Sequence, residues 1–346
     1  NKGICLEELE NYKEALENYN IVIKIKYDFS QAHLHKGNCL QKLKLFEDAL
    51  LCYKEAIKIK SDYSVAYNNL GCLQLLMGNY DEGWKNYEWR KKEFLKLDAD
   101  KKWDGIKNLK NKTIYIYKEQ GIGDYIQFSR YLPIIKKLGA NIILDTTKKL
   151  VPLINSMKFD YIHKDMENIN DKEFDYHCSI VSLPLLFKTS IDSIPNKTPY
   201  FSIDKEKINL WRKKINPNKK NIGIKWTGNK NFWNDKNRST NLDQIKSLFN
   251  LPFEFHSLEI EYSDNDKDLK KKIKNLHCYN KELIGFENTA ALIENLDLVI
   301  TTDTAIAHLC GALNKSSYIM LSNLPDFRWL LNRTDSPWYP SLKLYR

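Results

Sequence analysis

The chain has 346 residues, 42% of them hydrophobic, which is enough for two or three domains with buried cores. Lysine and arginine number 54 against 44 aspartates and glutamates, so the formal net charge is +10. The excess lysines are scattered along the chain rather than gathered into one basic stripe with interleaved aromatics. We therefore expect no nucleic-acid partner, and a nucleic-acid-binding repeat protein is a rival hypothesis suggested by charge alone.

Cysteine spacing and hydropathy exclude further classes. The seven cysteines form no Cys-x-x-Cys pair and have no histidine at a spacing typical of zinc, so we expect reduced thiols and no metal site. No apolar run approaches the roughly 18 residues needed to span a bilayer, and no charged-then-apolar leader opens the chain. The chain begins at Asn1 in mid-pattern. We expect a fragment of a larger cytoplasmic protein without a transmembrane segment.

The first 90 residues carry an internal repeat of period 34. Gly3, Gly37 and Gly71 follow this step, and three more columns share it: Tyr12, Phe46 and Tyr80; Ala15, Ala49 and Gly83; Tyr19, Tyr53 and Tyr87. Small residues where two helices cross, with aromatics beside them, resemble the tetratricopeptide repeat. We expect three repeats within residues 1–95, and more upstream because three repeats are a minimal stack.

Strand and helix patterns alternate after the repeats. Residues 96–112 are polar and Lys-rich, which predicts a linker that docks through Trp103. Over residues 113–216 the patterns predict strands at Thr113–Tyr117, Asn141–Leu144 and Phe174–Ile180, and helices at Tyr125–Leu138 and Leu150–Met157. This alternation is typical of a parallel α/β sheet.

A hinge near Ile215–Lys220 precedes a second alternation over residues 217–346. Its predicted strands are Ile222–Trp226, Phe253–Leu258, Leu298–Thr301 and Ser317–Leu321. Two Rossmann-like halves joined by a hinge make the GT-B architecture. The predicted fold is therefore α-helical tetratricopeptide repeats followed by an α/β GT-B module, with the site in the cleft at the carboxyl ends of the strands.

One strand-to-helix junction in the second half is suited to phosphate binding. From Leu298 the apolar run breaks into Thr302-Asp303-Thr304 and resumes at helical spacing towards His308. Such a junction presents unpaired N–H groups and the positive end of a helix dipole. We expect Thr302, Asp303, Thr304 and His308 to bind a phosphorylated donor. A satisfied histidine on a helix face is the alternative for His308.

Two cations of the second half are candidates for the same donor. Lys225 lies at a strand end, and Arg238 lies in the long polar loop that follows. Arginine can neutralise a leaving diphosphate by two-point contact and lysine as a point charge. A solvated loop in a Lys- and Asn-rich chain is the alternative.

The first half offers two candidates for a general base. The segment from Lys118 to Asp124 contains Gly121 and Gly123, but it fails as a dinucleotide fingerprint because its third glycine position is Ile126. Asp124 is predicted either to cap the next helix or to act as a base in the cleft. His177 is the reserve candidate, because its unperturbed pKa suits proton transfer near neutrality. It is equally ordinary as a buried strand-end histidine.

These motifs together resemble known families. The Gly-Ile-Gly-Asp turn with the segment Thr302–Leu309 resembles the heptosyltransferase family of GT-B glycosyltransferases. The repeats, with Tyr87–Arg90, Trp103–Gly105, Ser182–Pro184 and Ser336–Pro340, resemble bacterial tetratricopeptide-repeat glycosyltransferases, which are related in layout to protein O-linked N-acetylglucosamine transferases and to repeat-bearing flagellin glycosyltransferases.

The resemblance implies roles for particular residues. Asp124 corresponds to the acid/base carboxylate of heptosyltransferases, and Asp303, Thr304 and His308 correspond to their donor-diphosphate segment. The chain departs from the pattern at Ala305, where those enzymes commonly have glycine.

We therefore expect a metal-independent, inverting glycosyltransferase. It would move a sugar from a nucleotide sugar to a hydroxyl group of a protein or peptide held by the repeats, with no cofactor besides the donor substrate. Inversion is implied by the resemblance alone. The alternative is a non-catalytic tetratricopeptide-repeat scaffold with a degenerate glycosyltransferase fold.

Overall fold

The computed structural model describes residues 1–90, 97–232 and 234–346. These residues form two compact units. The repeat unit holds the described part of Asn1–Lys96 together with Lys188–Ser193 and Leu324–Asn332. The α/β unit holds the described parts of Leu97–Phe187, Ile194–Asn323 and Arg333–Arg346. The predicted boundary between repeats and linker, at residues 95 and 96, lies outside the described residues.

Helix pairs build the repeat unit. The helices are α1 (Lys2–Glu8), α2 (Tyr12–Ile25), α3 (Ser30–Lys42), α4 (Phe46–Ile59), α5 (Ser64–Leu76) and α6 (Tyr80–Tyr87). Each pair corresponds to one 34-residue period of the sequence. A 3₁₀ turn at Glu88–Arg90 follows the last helix.

The glycine and tyrosine columns of the repeat meet in space. A Cβ atom placed on Gly37 would lie 2.6 Å from Cε1 of Tyr53, whose ring is fully buried. The other two repeats make the same approach: Gly3 with Tyr19, and Gly71 with the backbone of Tyr87. Any side chain at these glycines would overlap its neighbour, so glycine sets how closely the two helices of a repeat approach. This contact is the physical reason for the period.

Two segments from later in the chain complete the repeat unit. The indole N–H of Trp84 on α6 donates to the carbonyl oxygen of Thr189 at 3.1 Å. The Trp84 ring also meets the Phe327 ring edge-on, with 5.8 Å between centroids, and both side chains are buried. The predicted domains 113–216 and 217–346 therefore each contribute a short segment to the core of the third repeat.

The first half of the α/β unit is a parallel sheet with strand order β3-β2-β1-β4. Its strands are β1 (Thr113–Tyr117), β2 (Asn141–Leu144), β3 (Ile162–His163) and β4 (Tyr176–Ser179), and its helices are α7 (Ile122–Phe128), α8 (Leu132–Lys137), α9 (Val151–Asn155) and α10 (Leu183–Leu186). The chain adds strands on one side of β1 and then returns to place β4 on the other side. The carboxyl ends of β1 and β4 therefore flank a topological switch point, where open α/β sheets bind ligands.

The second half has the strand order β10-β9-β8-β5-β6-β7, so the chain again places strands on one side of its first strand, β5, and then on the other. Its elements are α11 (Lys205–Arg212), β5 (Asn221–Lys225), α12 (Leu242–Ile245), β6 (Glu254–Ser257), α13 (Asp264–Lys270), β7 (Leu276–Cys278), α14 (Gly285–Glu294), β8 (Leu298–Thr302), α15 (Ala305–Ala312), β9 (Ser317–Met320) and β10 (Leu342–Tyr345). Turns occupy residues 213–220, where a hinge was predicted. Here the switch point lies between β5 and β8, with Lys225 in register with Thr301.

Several predicted elements have different bounds in the structure. The helix predicted over Tyr125–Leu138 begins earlier, at Ile122, and a 3₁₀ turn at Ser129–Tyr131 separates α7 from α8. Pro133 accounts for the break, because proline has no N–H and is tolerated in the first turn of a new helix. Other 3₁₀ turns lie at Ala99–Lys101, Met166–Asn168, Asp171–Glu173, Ile180–Ser182, Asp235–Asn237, Lys246–Asn250 and Phe327–Trp329.

The segment predicted as a linker packs within the α/β unit where it is described. The backbone N–H of Trp103 donates to the carbonyl oxygen of His177 on β4 at 2.9 Å. Its ring is 2% exposed and meets the Phe187 ring edge-on. Trp103 thus ties residues 97–112 to the edge of the first sheet.

The described helices include none that is both long enough and apolar enough to cross a membrane. Within the same residues, no group of three or more histidines, cysteines, aspartates or glutamates is arranged to hold a metal ion.

Candidate active site

The junction between β8 and α15 has the geometry of an anion-binding helix terminus. Thr304 is the N-cap of α15, and its hydroxyl accepts the backbone N–H of Ile306 at 3.3 Å. Thr302, the last residue of β8, is 1% exposed, and its hydroxyl has no hydrogen-bond partner among the described residues. A buried hydroxyl without a partner is costly and marks a place for a further polar group. The first turn of α15 supplies N–H donors beside it.

Arg238 is brought to this junction by the loop after β5. Its guanidinium donates to the backbone carbonyl of Asp303 at 2.9 Å and to the carboxylate of Asp235 at 3.1 Å. Its side chain is 17% exposed, and the guanidinium lies 4.3 Å from the centroid of the Phe232 ring. The predicted neighbours Arg238 and Asp303 are therefore in direct contact.

Gly228 allows the loop to fold in this way. A Cβ on Gly228 would lie 2.2 Å from the carboxylate of Asp235 and 2.6 Å from the guanidinium of Arg238. Its N–H donates to the hydroxyl of Ser239 at 2.7 Å, which ties the two ends of the loop together.

Lys225 lies at the end of β5 but is already paired. Its ammonium group donates to the carboxylate of Glu259, which is 1% exposed and follows β6. The same carboxylate accepts the backbone N–H groups of Trp226 and Thr227 at 2.8 and 2.7 Å. The charge of Lys225 is therefore compensated within the protein, and this geometry favours a structural role over the predicted contact with a donor phosphate.

In the first half, Asp124 occupies the third position of α7 rather than its N-cap. Gly121 is the N-cap, and its backbone N–H donates to Oδ2 of Asp124 at 2.9 Å. The carboxylate thus reaches back to the helix start, which is one half of a capping box. Gln120 precedes this turn with φ of 65°, a left-handed conformation that costs energy in a residue other than glycine. Such outliers occur often at functional sites, and this one adjoins the candidate base.

Helices α7 and α15 pack against each other, which joins the two halves at the predicted motifs. A Cβ on Gly123 would lie 2.8 Å from Cδ2 and 3.5 Å from Nε2 of His308. It would also lie 3.4 Å from the Cα atom of Ala305. The second glycine of the turn therefore leaves room for the His308 ring, and Asp124 follows it directly in sequence.

His308 and His177 have different surroundings. His308 is 4% exposed, and its Nδ1 lies 3.0 Å from the hydroxyl of Tyr339. His177 is also 4% exposed, and its Nε2 donates to the carbonyl oxygen of Asp98 at 2.8 Å. Burial lowers the pKa of His177. Its contacts lie with the segment that Trp103 anchors, which favours the interpretation as a buried strand-end histidine, while its role as reserve base stays a prediction.

Sequence reasoning did not assign two buried carboxylates at the ends of β1 and β2. Glu119 accepts the hydroxyl of Ser179 at 2.5 Å across the first switch point. Asp145 is fully buried and pairs with Lys118 at 2.8 Å, and burial raises its pKa. Asp145 directly follows the buried strand β2, and Glu119 lies two residues after the buried strand β1. An acidic residue so close to the end of a buried apolar strand is the signal that would have identified them.

Comparison with known proteins supports this architecture. Residues 30–63 and residues 52–85 each match a tetratricopeptide-repeat family model. A glycosyltransferase family 9 structure from Veillonella parvula aligns with 70% of this chain and 87% of its own, at 11% sequence identity and a TM-score of 0.51. The α/β unit has this glycosyltransferase fold. The ADP-heptose heptosyltransferase II of E. coli aligns with 68% of this chain and 90% of its own, at 10% identity and a TM-score of 0.48.

One curated relative matches along most of the chain. Protein FlbA of Caulobacter vibrioides is 23% identical over an alignment of 314 residues, and the match covers 78% of this chain and 50% of that protein. The chain therefore spans about half the length of this relative. The predicted fold, repeats followed by a GT-B-like α/β module, is confirmed.

Proposed function

We propose that the chain is a glycosyltransferase that moves a sugar from a nucleotide sugar to a hydroxyl group with inversion. The observation that carries the proposal is the close approach of Gly123 to His308. Because of this approach, the turn that carries the Asp124 carboxylate lies beside α15, whose N-terminus is suited to phosphate. The glycosyltransferase fold of the α/β unit supports the same chemistry.

On the donor side, the diphosphate would lie at the start of α15. Backbone N–H groups, the Thr302 hydroxyl and Arg238 are the groups available to meet negative charge there. Preorganised donors of this kind stabilise a charge that develops as the leaving group departs. The proposed reaction therefore draws its charge stabilisation from the chain itself and needs no divalent cation.

On the acceptor side, Asp124 would act as the general base. The acceptor oxygen attacks the anomeric carbon, the bond between that carbon and the phosphate oxygen breaks, and the hydroxyl proton passes to the Asp124 carboxylate. The products are the glycoside and a nucleoside diphosphate. A single displacement of this kind inverts the anomeric centre.

The repeats suggest a protein acceptor. Stacked helix pairs form a superhelix with an extended concave face. Holding a polypeptide there would raise the local concentration of its hydroxyl groups without changing the chemistry. A protein or peptide acceptor and a cytoplasmic location belong to this proposal.

The test uses the purified chain with a panel of nucleotide sugars, followed by thermal shift and by release of nucleoside diphosphate. A donor at about 100 times its Kd adds roughly 2.7 kcal/mol to the free energy of unfolding. Asp124→Asn should reduce transfer by about 100-fold or more while donor binding stays near wild type. Asp175→Asn serves as the matched control, because the half-buried Asp175 carboxylate also accepts a backbone N–H, that of Thr113 at 2.8 Å, and pairs with Lys112.

Three outcomes would contradict the proposal. A strict requirement for a divalent ion would exclude the charge stabilisation described above. Full activity of Asp124→Asn together with an inactive His177→Ala would show that His177, not Asp124, is the general base. Absence of any donor-induced shift or turnover would favour the non-catalytic scaffold.

A further inference from the structure

Tyr339 is held rigidly beside α15 although the proposed reaction does not use it. The residue is fully buried. A Cβ on Gly311 of α15 would lie 2.2 Å from Cδ1 of Tyr339, so the ring occupies the space that the glycine leaves. On the other side the guanidinium of Arg130 lies 4.5 Å from the ring centroid.

Arg130 is a buried cation with a fixed orientation. It is 4% exposed and donates to the carbonyl oxygens of Gln127 and Trp338 at 2.8 and 2.7 Å. Its guanidinium also lies 5.2 Å from the centroid of the Tyr200 ring. A buried charge is costly unless it is well hydrogen-bonded. This bonding keeps the cation against the face of Tyr339.

The hydroxyl of Tyr339 ends at one edge of the His308 ring. The oxygen lies 3.0 Å from Nδ1. Burial raises the pKa of Tyr339 well above its ordinary range, so the phenol keeps its proton. A neutral imidazole has one N–H, and the hydrogen bond at one ring nitrogen determines what the other presents.

The other edge of the ring faces α7. The Cδ2 and Nε2 atoms of His308 are the atoms nearest to the position of a Cβ on Gly123, at 2.8 and 3.5 Å. Nε2 is therefore directed towards the turn that carries Asp124, where the proposed diphosphate and acceptor would meet.

We infer that Tyr339 is a positioning residue that donates to Nδ1 of His308 and holds the neutral ring with its proton on Nε2. His308 then presents a hydrogen-bond donor, rather than an acceptor, to the leaving diphosphate. This use of the donor rests on the proposed function, whereas the hydrogen bond and the tautomer do not.

The test is Tyr339→Phe, which removes the hydroxyl and keeps the ring between Gly311 and Arg130. Histidine ¹⁵N spectra of the nucleotide-free full chain report which ring nitrogen carries the proton, with His308→Gln assigning the signal. We expect a wild-type His308 protonated on Nε2 and a variant in which the Nδ1–H form appears. Tyr318→Phe on β9 is the matched control and should leave the His308 signal unchanged.

Kinetics provide a second readout. Loss of the fixed tautomer should reduce kcat by about 10-fold with little change in the KM of the nucleotide sugar, because the contact strengthens as negative charge develops. A wild-type His308 protonated on Nδ1 would overturn the inference, as would a Tyr339→Phe protein whose tautomer is unchanged. An inactive wild-type chain whose His308 tautomer still depends on Tyr339 would refute the proposed function and support the positioning role.

Discussion

Buried His256 should make the stability of the α/β unit depend on pH. The residue lies on β6, is 1% exposed, and is satisfied in its neutral form: Nε2 donates to the side-chain carbonyl of Asn221 at 2.9 Å, and the Tyr279 hydroxyl donates to Nδ1 at 3.2 Å. The ring of His277 stacks on it, with 5.1 Å between centroids. Burial, with a smaller contribution from His277, lowers the pKa of His256 from 6.5 to about 4.

The difference in the pKa of His256 between the unfolded and folded chains determines how the free energy of unfolding changes with pH. The unfolded chain binds a proton at this site below pH 6.5, whereas the folded chain resists protonation until about pH 4. The stability contributed by the neutral ring is therefore complete above pH 6.5 and is lost as the pH falls towards 4. Each pKa unit is worth about 1.36 kcal/mol, so the loss between pH 7.5 and pH 5 is about 2 kcal/mol from this residue alone.

Urea unfolding followed by tryptophan fluorescence measures this loss. His256→Gln keeps an amide donor near Asn221 but cannot titrate, so its free energy of unfolding should depend less on pH than that of wild type. The free energy of unfolding of wild type should exceed that of His256→Gln by about 2 kcal/mol less at pH 5 than at pH 7.5. If the two curves stay parallel across this range, His256 is not protonated on unfolding and the argument fails.

Three further outcomes are expected. Arg238→Ala should weaken binding of a nucleoside diphosphate by about 1.5 to 3 kcal/mol, measured by calorimetry, because a charge-assisted contact is lost. Gly37→Ala should lower the free energy of unfolding of the repeat unit by about 1 to 3 kcal/mol, because its methyl group overlaps the buried Tyr53 ring. Deleting residues 1–90 should abolish transfer to a protein acceptor and also expose Phe327, which packs on Trp84, so the melting temperature of the remaining chain should fall.

Each of these outcomes has a control. Arg238→Lys keeps the charge and should retain part of the affinity, and unchanged binding in Arg238→Ala would remove Arg238 from the donor site. Gln31→Ala lies on an exposed position of the same helix as Gly37 and should change stability by less than about 0.5 kcal/mol. In the truncated chain, Phe327→Ser replaces the newly exposed aromatic ring with a polar side chain. Full transfer to the protein acceptor by that folded variant would show that the repeats do not bind it.

Local patterns predicted most of the fold. Strands β1 and β2 have the bounds that were predicted, because their apolar runs are buried on both faces and end at polar residues. The repeats were predictable because their period records a contact made within each repeat. Strand β3 was not predicted, since it has two residues, both exposed, and so carries no apolar pattern. The short edge strand β10 was not predicted for a similar reason: its side chains alternate between buried and exposed over only four residues.

Pairings between distant residues could not be predicted. The spacing of the sequence identified Lys225 as a cation near the cleft, but nothing local indicates that Glu259 neutralises it. The same applies to His308, because nothing in the segment Ser336–Pro340 indicates that its Tyr339 lies against the histidine ring. The residue types suited to the chemistry were recognisable, whereas their partners depended on which strand ends the topology brings together.

Glycine explains how these side chains come to lie where they do. In the turn before α7, a side chain at Gly123 would overlap the His308 ring, so glycine is required there to leave space for that ring. Gly311 and Gly228 leave the same kind of space for Tyr339 and Arg238. Each of the three is thus a contact surface for a polar side chain of the candidate site. Substituting any of them with alanine would displace a functional group rather than strain a turn, so their effect should appear in ligand binding as well as in stability.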